Sequence, residues 1–205
     1  VLEAGSDVGG TWYWCRYPGA RFDSESWSYG YSFSEELLQE WSWTEHFSAQ
    51  PDTLRYLNYV ANKFDLRRDM QFNSRVTAAH FDDETSQWTI TTESGEQVRA
   101  PFMITALGPL SAFTLPNIPG RDAYQGPAFH TARWPHEPVN FDGKRVGIIG
   151  TGATAIQTIQ TIAKEVEHLT VFQRTPNWAA PLHNAKITEE EQREIKAIFA
   201  KIYQR

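Results

Sequence analysis

The stretch "KRVGIIGTGATAIQTIQTIAKEVEHLTVFQR", Lys144 to Arg174, decides the fold class. "RVGIIG" reads as a strand, "ATAIQTIQTIAKEV" as a helix, and "LTVFQR" as a second strand, which together make one βαβ unit. Between strand and helix stand Gly150, Gly152 and Ala155 as G-x-G-x-x-A. A glycine pattern in that context has a physical meaning. The first glycine permits the tight turn, the second removes a Cβ where backbone must approach a pyrophosphate, and the small third residue lets helix and strand pack closely. The phosphates would rest on the free N–H groups of the helix N-terminus, which makes Gly150, Thr151, Gly152, Ala153, Thr154, Ala155, Ile156 and Gln157 the candidate cradle.

The residues after the second strand select the dinucleotide. An acid there would bond the ribose hydroxyls of NAD, whereas this chain carries Gln173 and Arg174. A guanidinium pairs with a 2′-phosphate, so the expected dinucleotide is NADP. The bland reading is a surface arginine.

Outward from this unit, Thr188 and Glu191 form a capping box opening a last helix with Ile195, Ile198, Phe199 and Ile202 on one face. Upstream, "GPLSAFTLPNIPG", Gly108 to Gly120, reads as a linker. Residues 74–107 predict a three-stranded antiparallel meander from "RVTAAHF", "QWTITT" and "VRAPFMITAL". Residues 51–67 predict a helix with Leu54, Leu57, Val60, Ala61 and Phe64 on one face, and residues 34–48 a shorter one capped by Ser34. Residues 5–34 show no period and read as a structured loop. The opening "VLE" reads as a strand, whose terminal Glu3 would hold the ribose hydroxyls of an unphosphorylated adenosine, as in FAD or NAD. On that reading a strand, a glycine-rich turn and a helix, roughly 30–40 residues, precede Val1; the alternative is a merely charged strand end. The last helix likewise reads as cut short at Arg205.

The fold expected is therefore α/β, with two dinucleotide-binding (Rossmann-like) domains, both incomplete, and the meander inside the first. The boundaries are 1–109 for part of an FAD-binding domain lacking its first βα unit, 110–181 for an NADP-binding domain with a linker motif at 124–135, and 182–205 for the start of a helical subdomain.

Composition narrows the function. A net charge of −6, with no stripe or run of Lys and Arg, argues against a nucleic-acid partner. No window approaches a membrane span or a signal peptide. The lone Cys15 excludes a disulfide framework and any CxxC zinc or redox motif, and fits a reducing, cytoplasmic setting. Of eight Trp, Trp12, Trp14, Trp27, Trp41 and Trp43 precede residue 44, an aromatic wall that packs as core or against a flat ring. Core packing is expected of Trp14, Trp41 and Trp43.

Two further motifs complete the pattern. "YQGPAFHTARWP" sets Tyr124, Gly126, His130, Trp134 and Pro135 at fixed intervals, and "GGTWYWCRYPGARFD" sets Gly9, Gly10, Trp12, Tyr17, Pro18, Gly19 and Asp23. With both motifs and the glycine turn in place, the chain resembles the Baeyer–Villiger monooxygenases along its whole length, and most the branch acting on phenylacetone, other aryl ketones and steroid ketones. Tyr124 stands where that family's short fingerprint has Phe; Leu107 replaces a usual Thr or Ser; Ala155 replaces the third glycine.

The resemblance implies FAD and NADP(H) as cofactors and a ketone and O2 as substrates. One oxygen atom would be inserted beside the carbonyl, through a C4a-peroxyflavin, to give an ester or lactone. It makes Asp23 and His130 the candidate catalytic residues: Asp23 to hold an active-site arginine that lies outside these residues, His130 to couple cofactor binding to domain motion. Thr11, Trp12 and Tyr29 would line FAD beside Gly9 and Gly10, Val76 would meet its adenine, and Arg21 would reach the NADP side. No metal is expected, since His130 has no partner at ligand spacing; taken alone it reads as a satisfied structural histidine, and Asp23 as a loop acid. Two other readings stand beside this one: an N- or S-oxygenating flavin monooxygenase, and an NADP-binding remnant without catalysis. A disulfide reductase would need a cysteine pair that the chain lacks.

Overall fold

The computed structural model describes residues 1–202. Helices α1 (Thr11–Trp14), α2 (Ser26–Tyr29), α3 (Glu35–Glu40) and α4 (Gln50–Lys63) precede strands β1 (Val76–Asp82), β2 (Gln87–Thr92) and β3 (Gln97–Ala100). Strand β4 (Arg145–Ile149), helix α5 (Ala153–Ile162), strand β5 (His168–Phe172) and helix α6 (Glu189–Ile202) follow. The architecture is α/β, with an antiparallel sheet in the order β1-β2-β3 and a parallel pair β4-β5. The chain's first residues run parallel to Gln71, with Glu3 N–H donating to the Gln71 carbonyl at 2.9 Å.

The N-terminal core is aromatic. Trp12, Phe22, Leu37, Trp43, Tyr56 and Val60 form one buried cluster, with Trp41, Leu54, Leu57 and Phe64 packed on it. Helix α4 starts with Pro51 and Asp52 in its first turn and ends on Lys63, charges that complement its dipole. Its most buried face is Thr53, Tyr56, Val60 and Ala61, so the Leu54–Leu57 edge lies to one side of the expected centre. Trp14 stays outside the core and turns its ring to Arg133, contrary to the packing expected of it.

Several elements differ in extent from those expected. Residues 5–34 are not all loop, since α1 and α2 lie within them. Helix α3 is capped as expected, Ser34 Oγ accepting from Leu37 N–H at 3.2 Å, but it stops at Glu40. Residues 44–47 instead run beside 184–187, with a single bridge between Glu45 and Lys186, His46 N–H donating to the Ala185 carbonyl and Ile187 N–H to the Thr44 carbonyl. Backbone pairing with a distant segment outweighs local helical spacing there.

The third strand of the meander stops at Ala100 rather than Leu107. Pro101 has no N–H to extend the ladder, and Phe102, Ile104 and Leu107 beyond it are exposed.

In the parallel pair, Ile149 faces Phe172, which sets the ends of both strands side by side. The helix between them buries Ala155, Thr158 and Ile162, the inward face of a three- and four-residue repeat, and ends earlier than its apolar spacing suggests. Helix α6 opens on the expected capping box, Thr188 N–H donating to Glu191 Oε2 at 2.8 Å and Glu191 N–H to Thr188 Oγ1 at 3.2 Å. Phe199 is buried and Ile198 is exposed, while the side chain of Ile202 lies outside the described ones. None of the described helices is long and apolar enough to cross a membrane.

Leu37 has 0% exposure in the aromatic cluster. Leu37→Ala is expected to lower unfolding free energy by about 2–5 kcal/mol and Leu37→Met by less than about 1.5 kcal/mol, measured by urea denaturation.

Candidate functional site

The glycine turn has the shape the sequence predicts. Gly150 takes φ +102°, a conformation open to glycine, and its N–H donates to the Phe172 carbonyl at 2.9 Å. Space stands open where a Cβ would project from Gly150 or Gly152. Gly152 caps α5 with no side chain, so the first helical N–H groups face outward with nothing of the chain's own to satisfy them from that residue. Donors, dipole and the missing Cβ atoms suit a phosphate. Since Gly150 is tied to the end of β5, Gln173 and Arg174 follow at the same edge, both exposed. Arg174 has no partner among the described residues.

A second concavity lies in the N-terminal half. A cavity of about 290 Å³ is lined by Gly9, Thr11, Trp12, Tyr29, Tyr31 and Leu57. Trp12 Nε1–H donates to the Tyr29 hydroxyl at 2.7 Å, and Tyr29 stacks on Phe22 with ring centroids 4.3 Å apart. Two apolar planes and the Thr11 hydroxyl thus border one space, a lining that fits part of a flat ring system. Sequence reasoning named Gly9, Thr11, Trp12 and Tyr29 for this wall and missed Tyr31 and Leu57. Leu57 was legible only as a helix-face residue, and Tyr31 sits in a stretch without period.

The two concavities are joined by the loop from Cys15 to Asp23. Tyr17 O–H donates to Gln157 Oε1 at 2.7 Å, Arg21 N–H donates to the same oxygen at 3.4 Å, and Gln157 Nε2–H donates to the Arg21 carbonyl at 3.0 Å. Burial, with Cys15 beside it, pushes the Tyr17 hydroxyl up to about 12, so it stays a donor. Gly19, at φ +79°, lies so close to α5 that a Cβ would stand 2.5 Å from the Gln157 carbonyl oxygen. Gln157, expected in the phosphate cradle, spends its amide on the loop.

The short fingerprint closes over the same junction. Trp134 packs on Cys15, Tyr17 and Ala20. The Arg133 guanidinium lies over the rings of Trp14 and Phe113, at 4.8 and 5.2 Å, and donates to the Ser111 carbonyl at 2.8 Å. Thr131 and Thr154 hydroxyls meet at 3.1 Å, joining the fingerprint to the start of α5. Tyr124 folds its ring over Gly126, where any Cβ would collide. His130 Nδ1 accepts from Ala132 N–H at 3.1 Å and its ring lies 4.6 Å from Phe113. Burial, and secondarily Arg133, lowers its pKa, so the imidazole is held neutral as a cap of the turn Thr131–Arg133.

The remaining candidates lie further apart. Asp23 is exposed, without a partner among the described residues. The Arg21 side chain turns away from α5 to Glu45 at 3.1 Å and the Phe47 carbonyl at 3.2 Å. Glu3 Oε1 accepts from Gly5 N–H at 2.6 Å, and Val76 is exposed at the start of β1. No group of three or more His, Cys, Asp or Glu suited to a metal occurs among the described residues.

Residues 27–185 match a family described as flavin-binding monooxygenase-like, and the chain belongs to that family. It is 48% identical over 202 residues to the acetone monooxygenase (methyl acetate-forming) of Gordonia sp. (strain TY-5), covering 98% of this chain and 38% of that protein. It is 42% identical to the phenazine N-monooxygenase PhzNO1 of Lysobacter antibioticus, covering 99% of this chain and 37% of that protein. A solved structure of oxidized steroid monooxygenase bound to NADP superposes with a TM-score of 0.92 at 51% identity, covering 98% of this chain and 38% of that one. The chain therefore spans well under half the length of the relatives it matches.

Two measurements test the junction. Gly95 shares the positive φ of Gly19 but has open space around it. Gly95→Ala should cost the roughly 1–2 kcal/mol of a left-handed non-glycine residue. Gly19→Ala should cost more by chemical denaturation, because the atoms it meets are the Thr161 hydroxyl and the helix backbone at Gln157. His130 and His136 both have pKa values lowered by burial and neighbouring arginines. The unfolded chain thus takes up their protons first, and stability should be full above pH ~6.5 and fall as pH drops through the folded values. The loss between pH 8 and pH 5 should shrink in the double variant His130→Gln/His136→Gln.

Proposed function

We propose that this chain contributes the cofactor-joining part of an FAD- and NADPH-dependent monooxygenase of Baeyer–Villiger type, which inserts one atom of O2 beside a ketone carbonyl to give an ester or lactone. The observation that carries the reading is the junction on α5, where the Tyr17–Gln157 and Thr131–Thr154 contacts bring both signature motifs onto the helix behind the glycine turn. The relatives support it by what their names state: one forms methyl acetate from acetone, and one is a steroid monooxygenase bound to NADP.

On this reading residues 1–109 belong to an FAD-binding domain, 110–181 to an NADP-binding domain and 182–205 to the start of a helical subdomain, so that two Rossmann-like domains meet at the fingerprint. The cytoplasm is the compartment that suits such chemistry and the lone free thiol. FAD, when bound, supplies the chemistry that accepts hydride from the nicotinamide and activates O2. The chain's own residues do the rest of the work described here. Gly150–Ala155 hold the NADP pyrophosphate on the helix N-terminus, and Arg174 pairs with the 2′-phosphate. Gly9, Gly10, Thr11, Trp12 and Tyr29 border the flavin and keep water from it, with Val76 toward the adenine and Glu3 toward its ribose. Asp23, without a partner among the described residues, is available to hold a cation beside the nicotinamide. His130, neutral and engaged at Nδ1, orients the linker.

A second reading, N-oxygenation, is favoured by the phenazine N-monooxygenase among the relatives. Product analysis under labelled O2 separates the two. A ketone should yield an ester carrying one labelled oxygen; conversion of an N-heteroaromatic to its N-oxide, with the ketone untouched, supports the second reading. Binding of NADP without retention of FAD would leave a binding module. Arg174→Ala should weaken NADPH at least tenfold more than NADH in a fluorescence titration, and equal losses would remove the 2′-phosphate role.

A further inference from the structure

We propose that Gln157 is a positioning residue: it ties the loop bearing Asp23 to the helix whose N-terminus takes the dinucleotide, so that binding at Gly150–Ala155 fixes where Asp23 stands. The inference rests on the function proposed above and adds a role the motifs do not assign.

Three observations carry it. Gln157 lies on the second turn of α5, and its amide is taken up on both sides by the loop: Oε1 receives Tyr17 O–H at 2.7 Å and Arg21 N–H at 3.4 Å, and Nε2–H reaches the Arg21 carbonyl at 3.0 Å. An amide used in this way as acceptor and donor reads the loop backbone much as a neighbouring strand would. Second, the approach is tight, because Gly19 lies against the Gln157 carbonyl with no room for a side chain. Loop and helix therefore move as one body at that point. Third, Phe22, between Arg21 and Asp23, is buried at 7% exposure in the aromatic core that also holds Trp12. The segment is clamped at Arg21 by α5 and at Phe22 by the wall of the other cavity, which leaves the Asp23 carboxylate as the free end of a rigid strap.

A residue that merely completes the fold would stabilise the loop equally with or without dinucleotide. A positioning residue makes the loop respond to the dinucleotide. The test is amide hydrogen exchange of residues 17–23 in the full polypeptide that carries these residues, with and without saturating NADP+, in wild type, Gln157→Leu and Tyr17→Phe. Thermal unfolding of each variant without ligand checks that it folds.

In wild type, NADP+ should slow exchange at Arg21 N–H and its neighbours at least tenfold. In Gln157→Leu, NADP+ should bind within about threefold of wild type while the added protection disappears; Tyr17→Phe, which removes one hydroxyl and no packing, should lose part of it. Should Gln157→Leu fail to fold, retention of full protection by Tyr17→Phe would overturn the proposal. So would full protection in Gln157→Leu, or a tenfold loss of NADP+ affinity with protection intact in the bound fraction, which would make Gln157 a direct ligand contact. A wild-type protein that fails to bind NADP+ in any of these titrations would bring down the proposed function itself, a different result from bound dinucleotide without loop protection.

Discussion

The close approach of Gly19 to helix α5 is the constraint on which the arrangement of this chain depends. A single missing Cβ lets the loop between the aromatic core and the glycine turn lie on helix backbone, and the Gln157 amide then satisfies polar groups that the contact would otherwise strand. Around that contact the rest follows in layers. Trp134 covers Cys15, Tyr17 and Ala20 from the fingerprint side, and Arg133 spans Trp14 and Phe113, so the linker is held by rings and one guanidinium rather than by an extended sheet.

The two halves use different physics. The N-terminal half is organised by aromatic packing: Trp12, Phe22, Trp43 and Tyr56 bring large areas into contact at edge and tilted angles, which stabilise beyond area alone. The half after the linker is organised by backbone: a parallel ladder, a glycine turn and a short helix. Polar side chains mark where they join. Arg21, Glu45 and Asn184 share a network, with Asn184 Nδ2–H donating to Glu45 Oε2 at 2.7 Å, and it secures the 44–47 segment that follows α3. Asp23 and Arg174 are both exposed and have no partner among the described residues.

How much was legible divides along the same line. The βαβ unit, the capping box at Thr188 and Glu191, the antiparallel meander and the aromatic concentration before residue 44 could be read from period and spacing, because each is fixed by interactions within a few residues or by a turn that only glycine permits. The lengths of α3 and β3 could not. Leu37, Leu38 and Trp41 set a helical spacing, but the helix stops at Glu40 and residues 44–47 pair with 184–187, and "PFMITAL" has strand composition but loses its ladder at Pro101.

The sequence by itself determined the glycine turn between β4 and α5, and the membership in a monooxygenase family that both signatures announce. Only the tertiary structure decided that Gln157 faces the loop, that Arg133 and Trp134 make more of the fingerprint's contacts than His130, and that Tyr31 and Leu57 complete a cavity wall with Trp12. The reason is range. A turn or a cap is specified by neighbours along the chain, whereas the partners of Gln157 lie 136 and 140 residues away and are chosen by how two distant segments pack together.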